Sequence, residues 1–241
     1  MLAESRAKPK TLWRLIVVGG HTRSIGKTQL VCDIIRAFPR TDWVAGKITQ
    51  YGHGVCAQNG ENCDCAPTEH VCALDWEGSP ESGTDSARFL KAGAQKSFWL
   101  RTKQGYLAEG LPLLREALGG WPPDGESPRA LIVESNSLMQ FVKPSLYLAV
   151  IDPSKEDFKQ SAQLALDRAH ALILRDNSPS FSPSPSPPSS PFPSPSHLWL
   201  NLPAHLTREK PSVIQREGQE LPQPIWALVH RILEGPPGAA I

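Results

Sequence analysis

The chain has almost no excess of charge. Lysine and arginine number 25 against 24 aspartates and glutamates, for a formal net charge of +1. No basic stripe stands out, so nothing electrostatic points to nucleic acid. Long apolar runs are also missing: none approaches the roughly 20 residues that a membrane-spanning helix needs. Met1 to Lys10 carries three basic residues with no apolar stretch behind them, which reads as a flexible tail over 1–10 and not as a secretory signal. Cysteine is sparse and odd in number, five in 241 residues. Without a secretory signal, a disulfide framework is not expected. These absences describe a cytoplasmic chain with neither nucleic acid nor membrane as its partner.

What remains is enough for a core. Hydrophobic residues make up 40% of the chain, and the length suits one α/β domain with a tail better than two full domains. The most informative stretch is Leu15 to Leu30, LIVVGGHTRSIGKTQL. A short apolar run ends at Gly19 and Gly20, a polar turn follows, and Gly26-Lys27-Thr28 opens an apolar-periodic segment. Strand, loop and helix in that order form a phosphate cradle, because backbone N–H groups and the helix N-terminus attract anions and a lysine adds charge. The usual pattern, G-x-x-x-x-G-K-[ST], would put its first glycine where His21 stands. Here Gly20 comes one residue early and the loop reads G-x-x-x-x-x-G-K-T. Gly20, His21, Thr22, Arg23, Ser24, Ile25, Gly26, Lys27, Thr28 and Gln29 are therefore the candidate nucleotide-binding residues. Lys27 would reach the β- and γ-phosphates, and the Thr28 hydroxyl would bind Mg²⁺.

Along the chain, strands are expected at Arg14–Val18, Trp43–Thr49, Phe98–Arg101, Ala130–Glu134, Leu146–Ile151 and Ala171–Leu174. Helices are expected at Gly26–Phe38, Asp85–Ala92, Leu107–Leu118, Phe158–Ala169 and Pro222–Leu233, with Thr84 as an N-cap. Cys32, inside the first helix, reads as a small core residue. The alternation predicts an α/β fold: a P-loop three-layer sandwich with a mostly parallel sheet and helices on both faces. In such sheets ligands sit beyond the carboxyl ends of the strands. Glu134 and Asp152 close strands there and are candidates to orient a metal or a water, the bland alternative being a cap or a solvated rim charge. Lys47 closes the second strand. It would neutralise charge during phosphoryl transfer or hold an anionic substrate, unless it is a plain surface lysine. Lys27, Lys47 and Glu134 form the candidate catalytic set, with Thr28 and Glu134 on Mg²⁺.

Two segments stand apart from this pattern. Between Tyr51 and Gly83 there is no clear periodicity, and 51–83 reads as a long functional insert. It holds His53, Cys56, Cys63, Cys65, His70 and Cys72, six potential ligands within 20 residues. Thiolates and imidazoles at that density suit Zn²⁺ or an iron–sulfur cluster, with free thiols in a mobile loop or a redox pair as the alternatives. Further on, 17 of the 19 residues over 178–196 are serine or proline. Such a segment buries too little apolar surface to offset its ordering entropy and is expected to be a disordered insert in a P-loop domain of 11–177. The remainder, 197–241, would complete the domain with edge strands at His197–Leu202 and Ser212–Gln215 and the last helix.

The loop Gly20 to Thr28 resembles the longer P-loop of dethiobiotin synthetase and related amide-forming ligases, G-T-D-T-x-V-G-K-T, whose glycine also sits one place early. Lys47-Ile-Thr-Gln-Tyr-Gly52 is similar to that family's K-P-x-x-x-G, with Ile48 at the proline. The family's V-E-G strand end is matched by Val133-Glu134, followed here by Ser135. A second resemblance is to the GTP-binding adaptor of molybdopterin-guanine dinucleotide biosynthesis, whose K-D-[ST]-x-R-x-x-x-A-G-A segment is similar to Asp85-Ser86-Ala87-Arg88 through Ala92-Gly93-Ala94, with Thr84 at the leading lysine. The guanine-reading N-K-x-D motif is not visible at Leu174 to Asn177. Together these resemblances imply the P-loop NTPase superfamily, ATP or GTP with Mg²⁺, and a cofactor-biosynthesis NTPase. An ATP-dependent ligase or kinase acting on a small molecule, or a nucleotide-switched metal protein, are the alternatives. The base, the acceptor and the oligomeric state, a homodimer included, stay open.

Overall fold

A computed structural model describes residues 12–52, 71–119, 130–175, 210–216, 218–235 and 239–240. Its centre is a nine-stranded sheet. In chain order the strands are β1 (Leu12–Gly20), β2 (Trp43–Tyr51), β3 (Cys72–Trp76), β4 (Lys96–Lys103), β5 (Ala130–Glu134), β6 (Leu146–Ile151), β7 (Ala171–Arg175), β8 (Ser212–Gln215) and β9 (Ala239–Ala240). Across the sheet the order is β3-β4-β2-β5-β1-β6-β7-β8, with β9 pairing β1. Every pairing from β4 through β8 is parallel; β3 on β4 and β9 on β1 are antiparallel. The helices are α1 (Lys27–Ala37), α2 (Asp85–Lys91), α3 (Leu107–Gly119), α4 (Gln160–Leu166) and α5 (Gln223–Glu234), with a 3₁₀ turn at Ser137–Gln140.

The strand side chains explain the layering. Successive residues on a strand point to opposite faces, and a parallel sheet covered on both sides reads as a continuous apolar run. Leu15, Val17, Leu131, Val133, Tyr147 and Leu172 join Leu107, Leu111, Leu114 and Leu118 of α3 in one core layer. Their neighbours Ile16, Val18, Ile132, Leu148 and Ile173 join Leu30, Ile34 and Ile35 of α1, Phe89 of α2, and Ile225 and Val229 of α5 in the other. The expected α/β sandwich with a mostly parallel sheet and helices on both faces is the fold observed. Cys32 is buried against α2, its thiol toward the Arg88 carbonyl at 3.5 Å. Thr84 caps α2 by accepting from the Ala87 N–H at 3.0 Å.

Several elements differ from expectation, among them β9, which has no counterpart among the expected strands. Within the stretch that reads as aperiodic, Cys72–Trp76 is an edge strand. It is recognisable only through its ladder to β4 and through Trp76, which meets the Phe98 ring edge-on at 5.8 Å. β4 runs over Lys96–Lys103, longer than its apolar centre. α4 covers only Gln160–Leu166 of the expected 158–169, because the residues before it are bound to the loop after β1, as described below. The tail at 1–10, the serine-proline insert at 178–196 and the strand expected at His197–Leu202 lie outside the described residues. No helix among the described residues is long and apolar enough to cross a membrane.

The two faces of α3 supply a test. Leu114 is fully buried and Leu113 is 37% exposed. Leu114→Ala is expected to cost about 2–5 kcal/mol, and Leu113→Ala to stay within about 0.5 kcal/mol, by urea unfolding. Equal losses would contradict the layering.

Candidate functional site

β1 is paired on both sides, and its carboxyl end is where the candidate residues meet. Register sets Glu134 beside Val18 and Lys47 beside Glu134. The loop thus springs from β1 with a carboxylate on one neighbouring strand and an ammonium on the next. At the loop entry, Asn136 grips Gly20 with both ends of its amide: Nδ2 donates to the Gly20 carbonyl at 2.7 Å, and Oδ1 accepts from its N–H at 2.8 Å. A Cβ on Gly20 would lie 2.7 Å from Ile25 Cδ1. The missing side chain lets Ile25, only 3% exposed, seat itself in the core and anchor the loop. Gly26 caps α1 with φ at 84°, a left-handed conformation that glycine adopts without a Cβ penalty. Arg175 lies against it and donates from Nη2 to the Gly26 carbonyl at 2.7 Å.

Behind the loop runs a strap formed by residues 152–159. His21 is 1% exposed. Its Nδ1 accepts from the Asp152 N–H at 3.4 Å, which leaves Nε2 to donate to the Lys155 carbonyl at 3.2 Å and makes the ring neutral. Lys155 Nζ donates to the Ser24 carbonyl at 2.9 Å. Asp157 accepts from the Thr22 hydroxyl, Phe158 packs on the His21 ring with centroids 5.3 Å apart, and the Lys159 N–H donates to the His21 carbonyl at 2.8 Å.

In front of the loop lies an open cleft of about 1500 Å³. Thr22, Arg23, Ser24, Ile25, Gly26, Lys27, Thr28, Gln29, Lys47 and Glu134 all line it. The Thr28 hydroxyl donates to Glu134 Oε2 at 2.6 Å, which puts two oxygen donors at the first turn of α1. Lys27 Nζ donates to the Thr22 carbonyl at 2.6 Å. Burial lowers its pKa from the ordinary lysine range, and the nearby Glu134 carboxylate opposes that shift. Lys47 shows the reverse balance: burial works against its charge, but the Glu134 and Asp85 carboxylates outweigh it and raise the pKa. It is ion-paired with Asp85, which also faces Arg88 Nη1 at 3.5 Å.

Three candidates, Gly20, His21 and Asp152, do not line the cleft. His21 is the buried backstop of the loop. Asp152 is buried, and its Oδ1 accepts from the backbone and hydroxyl of Ser154 at 3.0 and 2.6 Å, so it shapes the turn into the strap. Gly20 acts through its backbone alone. His53, Cys56, Cys63, Cys65 and His70 lie outside the described residues. Cys72 opens β3, half-buried opposite Thr102. Among the described residues no cluster of three histidine, cysteine or acidic side chains could hold a metal ion. An oxygen site for Mg²⁺ needs fewer protein ligands, since that ion keeps several waters and takes phosphate oxygens, and Thr28 with Glu134 fits it. Sequence reading missed Asn136, Asp85 as a partner of Lys47, Lys159 and Arg175. Asn136 directly follows the V-E-S strand end, the only signal that pointed near it.

Fold and site together define an α/β protein with a phosphate-loop geometry at the central strand. No family model matches the chain, and no curated relative matches it. Among solved structures it is similar to the crystal structure of HypB from Helicobacter pylori in complex with nickel, at 11% identity and a TM-score of 0.40, over 91% of this chain and 87% of that one. A likeness of that size carries no argument about what this protein binds.

The neutral His21 has a consequence for pH. Burial lowers its pKa below the ordinary 6.5, although backbone hydrogen bonds and Asp152 oppose the shift. His170, whose Nδ1 accepts from the Tyr147 N–H, is lowered for the same leading reason. Below pH 6.5 the unfolded chain takes up these protons before the folded one does. Stability is therefore full above that pH and falls as the pH drops toward the folded values. Unfolding midpoints measured from about pH 8 to about pH 5 are expected to decline on the acid side, with the His21 ring resonances titrating late by NMR. Ring titration of His21 at the ordinary value would contradict the buried neutral form.

Proposed function

We propose that the chain binds a nucleoside triphosphate with Mg²⁺ in this cleft and turns it over slowly on its own, as a cofactor-biosynthesis NTPase of the molybdopterin-guanine dinucleotide adaptor type. The observation that carries the reading is the Thr28 hydroxyl bonded to Glu134 one residue beyond Lys27. A lysine, a hydroxyl and a carboxylate on an adjacent strand are the parts that hold a γ-phosphate and its metal. Thr28 and Glu134 would hold Mg²⁺, whose charge neutralises the phosphate oxygens. Lys27 would exchange the Thr22 carbonyl for phosphate, and its desolvated ammonium strengthens that contact.

The state of the acids in the cleft supports slow turnover. Among the described residues lining the cleft, the carboxylates are Asp85 and Glu134. Asp85 is bonded to Lys47 and Glu134 to Thr28. Neither is free to act as a general base toward an attacking water, which supports slow turnover. A partner that pulled Lys47 away from Asp85 would supply the missing base.

One observation favours a second reading, an ATP-dependent ligase or kinase. The cleft continues beyond the loop to Gln104, Leu107, Gln140 and Phe141, and its volume exceeds the roughly 300–1000 Å³ of an ordinary ligand site. A small acceptor would lie there with Lys47 at its anionic end.

Titration calorimetry with ATP and GTP tests the common part. Lys27→Ala is expected to abolish triphosphate binding, and Glu134→Gln to remove its Mg²⁺ dependence while metal-free binding persists. Unchanged affinity in Lys27→Ala would refute the site. The two readings separate on Lys47→Ala. A ligase would lose acceptor-dependent turnover with nucleotide affinity intact, whereas an adaptor would show no acceptor dependence to lose.

A further inference from the structure

We propose that Lys159, held on the strap behind the loop, is a second phosphate-contacting cation that meets the nucleotide from the α4 side of the cleft, facing Lys27. The proposal rests on the nucleotide-binding reading above. It starts from how the residue is fixed. The Lys159 N–H is bonded to the His21 carbonyl at 2.8 Å, and its own carbonyl accepts from Ala162 at 2.9 Å and Gln163 at 3.1 Å. Its backbone is thus clamped between the phosphate loop and the first turn of α4, whatever the side chain does. From that anchor the side chain lines the same cleft as Thr22, Lys27, Thr28, Lys47 and Glu134.

Cations outnumber anions around it. The charges that act on Lys159 are Arg23 and Lys27 from the loop, Lys47 from β2, and Asp157 from its own strap. Three of the four are cations, and Asp157 already accepts from the Thr22 hydroxyl. Four neighbouring cations are bonded elsewhere: Lys27 to the Thr22 carbonyl, Lys47 to Asp85, Lys155 to the Ser24 carbonyl and Arg175 to the Gly26 carbonyl. Among the described residues, no carboxylate or carbonyl is bonded to the Lys159 ammonium. Burial, followed by the like charges of Arg23 and Lys27, brings its pKa down from 10.5 to about 8. A plain surface lysine would be solvated and free to swing away from other cations. This one is half-buried and directed into them, an arrangement that costs the free protein and that a polyanion relieves. A phosphate chain seated on Lys27 supplies that polyanion at the required place.

The test is titration calorimetry on the full chain with ATP, GTP and inorganic tripolyphosphate, each with Mg²⁺, and with the free nucleosides. Lys159→Ala and Lys159→Gln are expected to weaken both nucleotides and tripolyphosphate about tenfold, the scale of one charge-assisted hydrogen bond. Neither should change the binding of nucleosides, and Lys159→Arg should restore most of the loss. Thermal unfolding midpoints of the ligand-free variants should be no lower than that of the wild type, because the backbone clamp is retained and the repulsion from Arg23 and Lys27 is removed. NMR titration of the Lys159 side chain should show its pKa rising when tripolyphosphate is added, a response that a merely structural lysine would not give. Wild-type affinity for tripolyphosphate in Lys159→Ala and Lys159→Gln, alongside its loss in Lys27→Ala, would overturn the role of Lys159 and leave the nucleotide site standing. Failure of the wild type to bind ATP, GTP or tripolyphosphate would overturn both.

Discussion

The site depends on the parallel pairing of β1 with β5 on one side and β6 on the other. That register places Val18 beside Glu134 and Gly20 beside Val150. It brings the loop, the carboxylate and the start of the strap to one edge of the sheet without any of them being adjacent in the chain. The pairing is secured from both faces, since Leu15 and Val17 are buried in one core layer and Ile16 and Val18 in the other. A one-residue slip would exchange those layers and carry Glu134 away from Thr28. The apolar core and the polar cleft are thus two results of one constraint.

The loop itself is held more firmly from behind than from the cleft. Ile25 anchors it in the core, Asn136 grips Gly20, and the 152–159 strap takes up His21, Thr22 and the Ser24 carbonyl. A loop held in this way would lose little ordering entropy on binding an anion. The extra residue that breaks the common loop spacing has a clear position in this scheme. His21 turns inward as a neutral, buried ring bonded to the strap, and the rest of the loop keeps its usual face toward the cleft. A glycine at that place would leave the strap with fewer contacts.

The charges at the cleft are divided unevenly. Lysines and arginines surround it, while among the described residues the two carboxylates that line it are both engaged. This distribution suits holding a polyanion better than activating a water. It is the basis for the slow turnover proposed above, and it brings α2, through Asp85, and the residue preceding α4, Lys159, to the same cleft. The net charge of the chain conceals this, because the local excess at the cleft is balanced by acids elsewhere.

Much of this was legible in the sequence, for identifiable reasons. Leu15 to Val18, Leu131 to Val133 and Leu146 to Ile151 are apolar on consecutive residues, which only strands buried on both faces tolerate. Gly26-Lys27-Thr28 after such a strand specifies the cradle locally. Lys47 and Glu134 could be assigned because each ends a strand, and strand ends in a parallel sheet converge on one edge. β3 was not legible, since an edge strand of five residues needs a ladder partner more than a pattern of its own. The strap was not legible either. Its bonds to His21, Thr22 and Ser24 join residues more than 130 positions apart, and no local rule ties a serine, a lysine or an aspartate to a loop at that distance. By itself the sequence determined which segments are buried and where a phosphate would be cradled, because burial and loop chemistry follow from neighbouring residues. Only the tertiary structure decided which side chains face the cleft and which support the loop. It turned His21 and Asp152 inward and brought Asp85, Asn136 and Lys159 to the site, because those roles are set by contacts across the sheet edge.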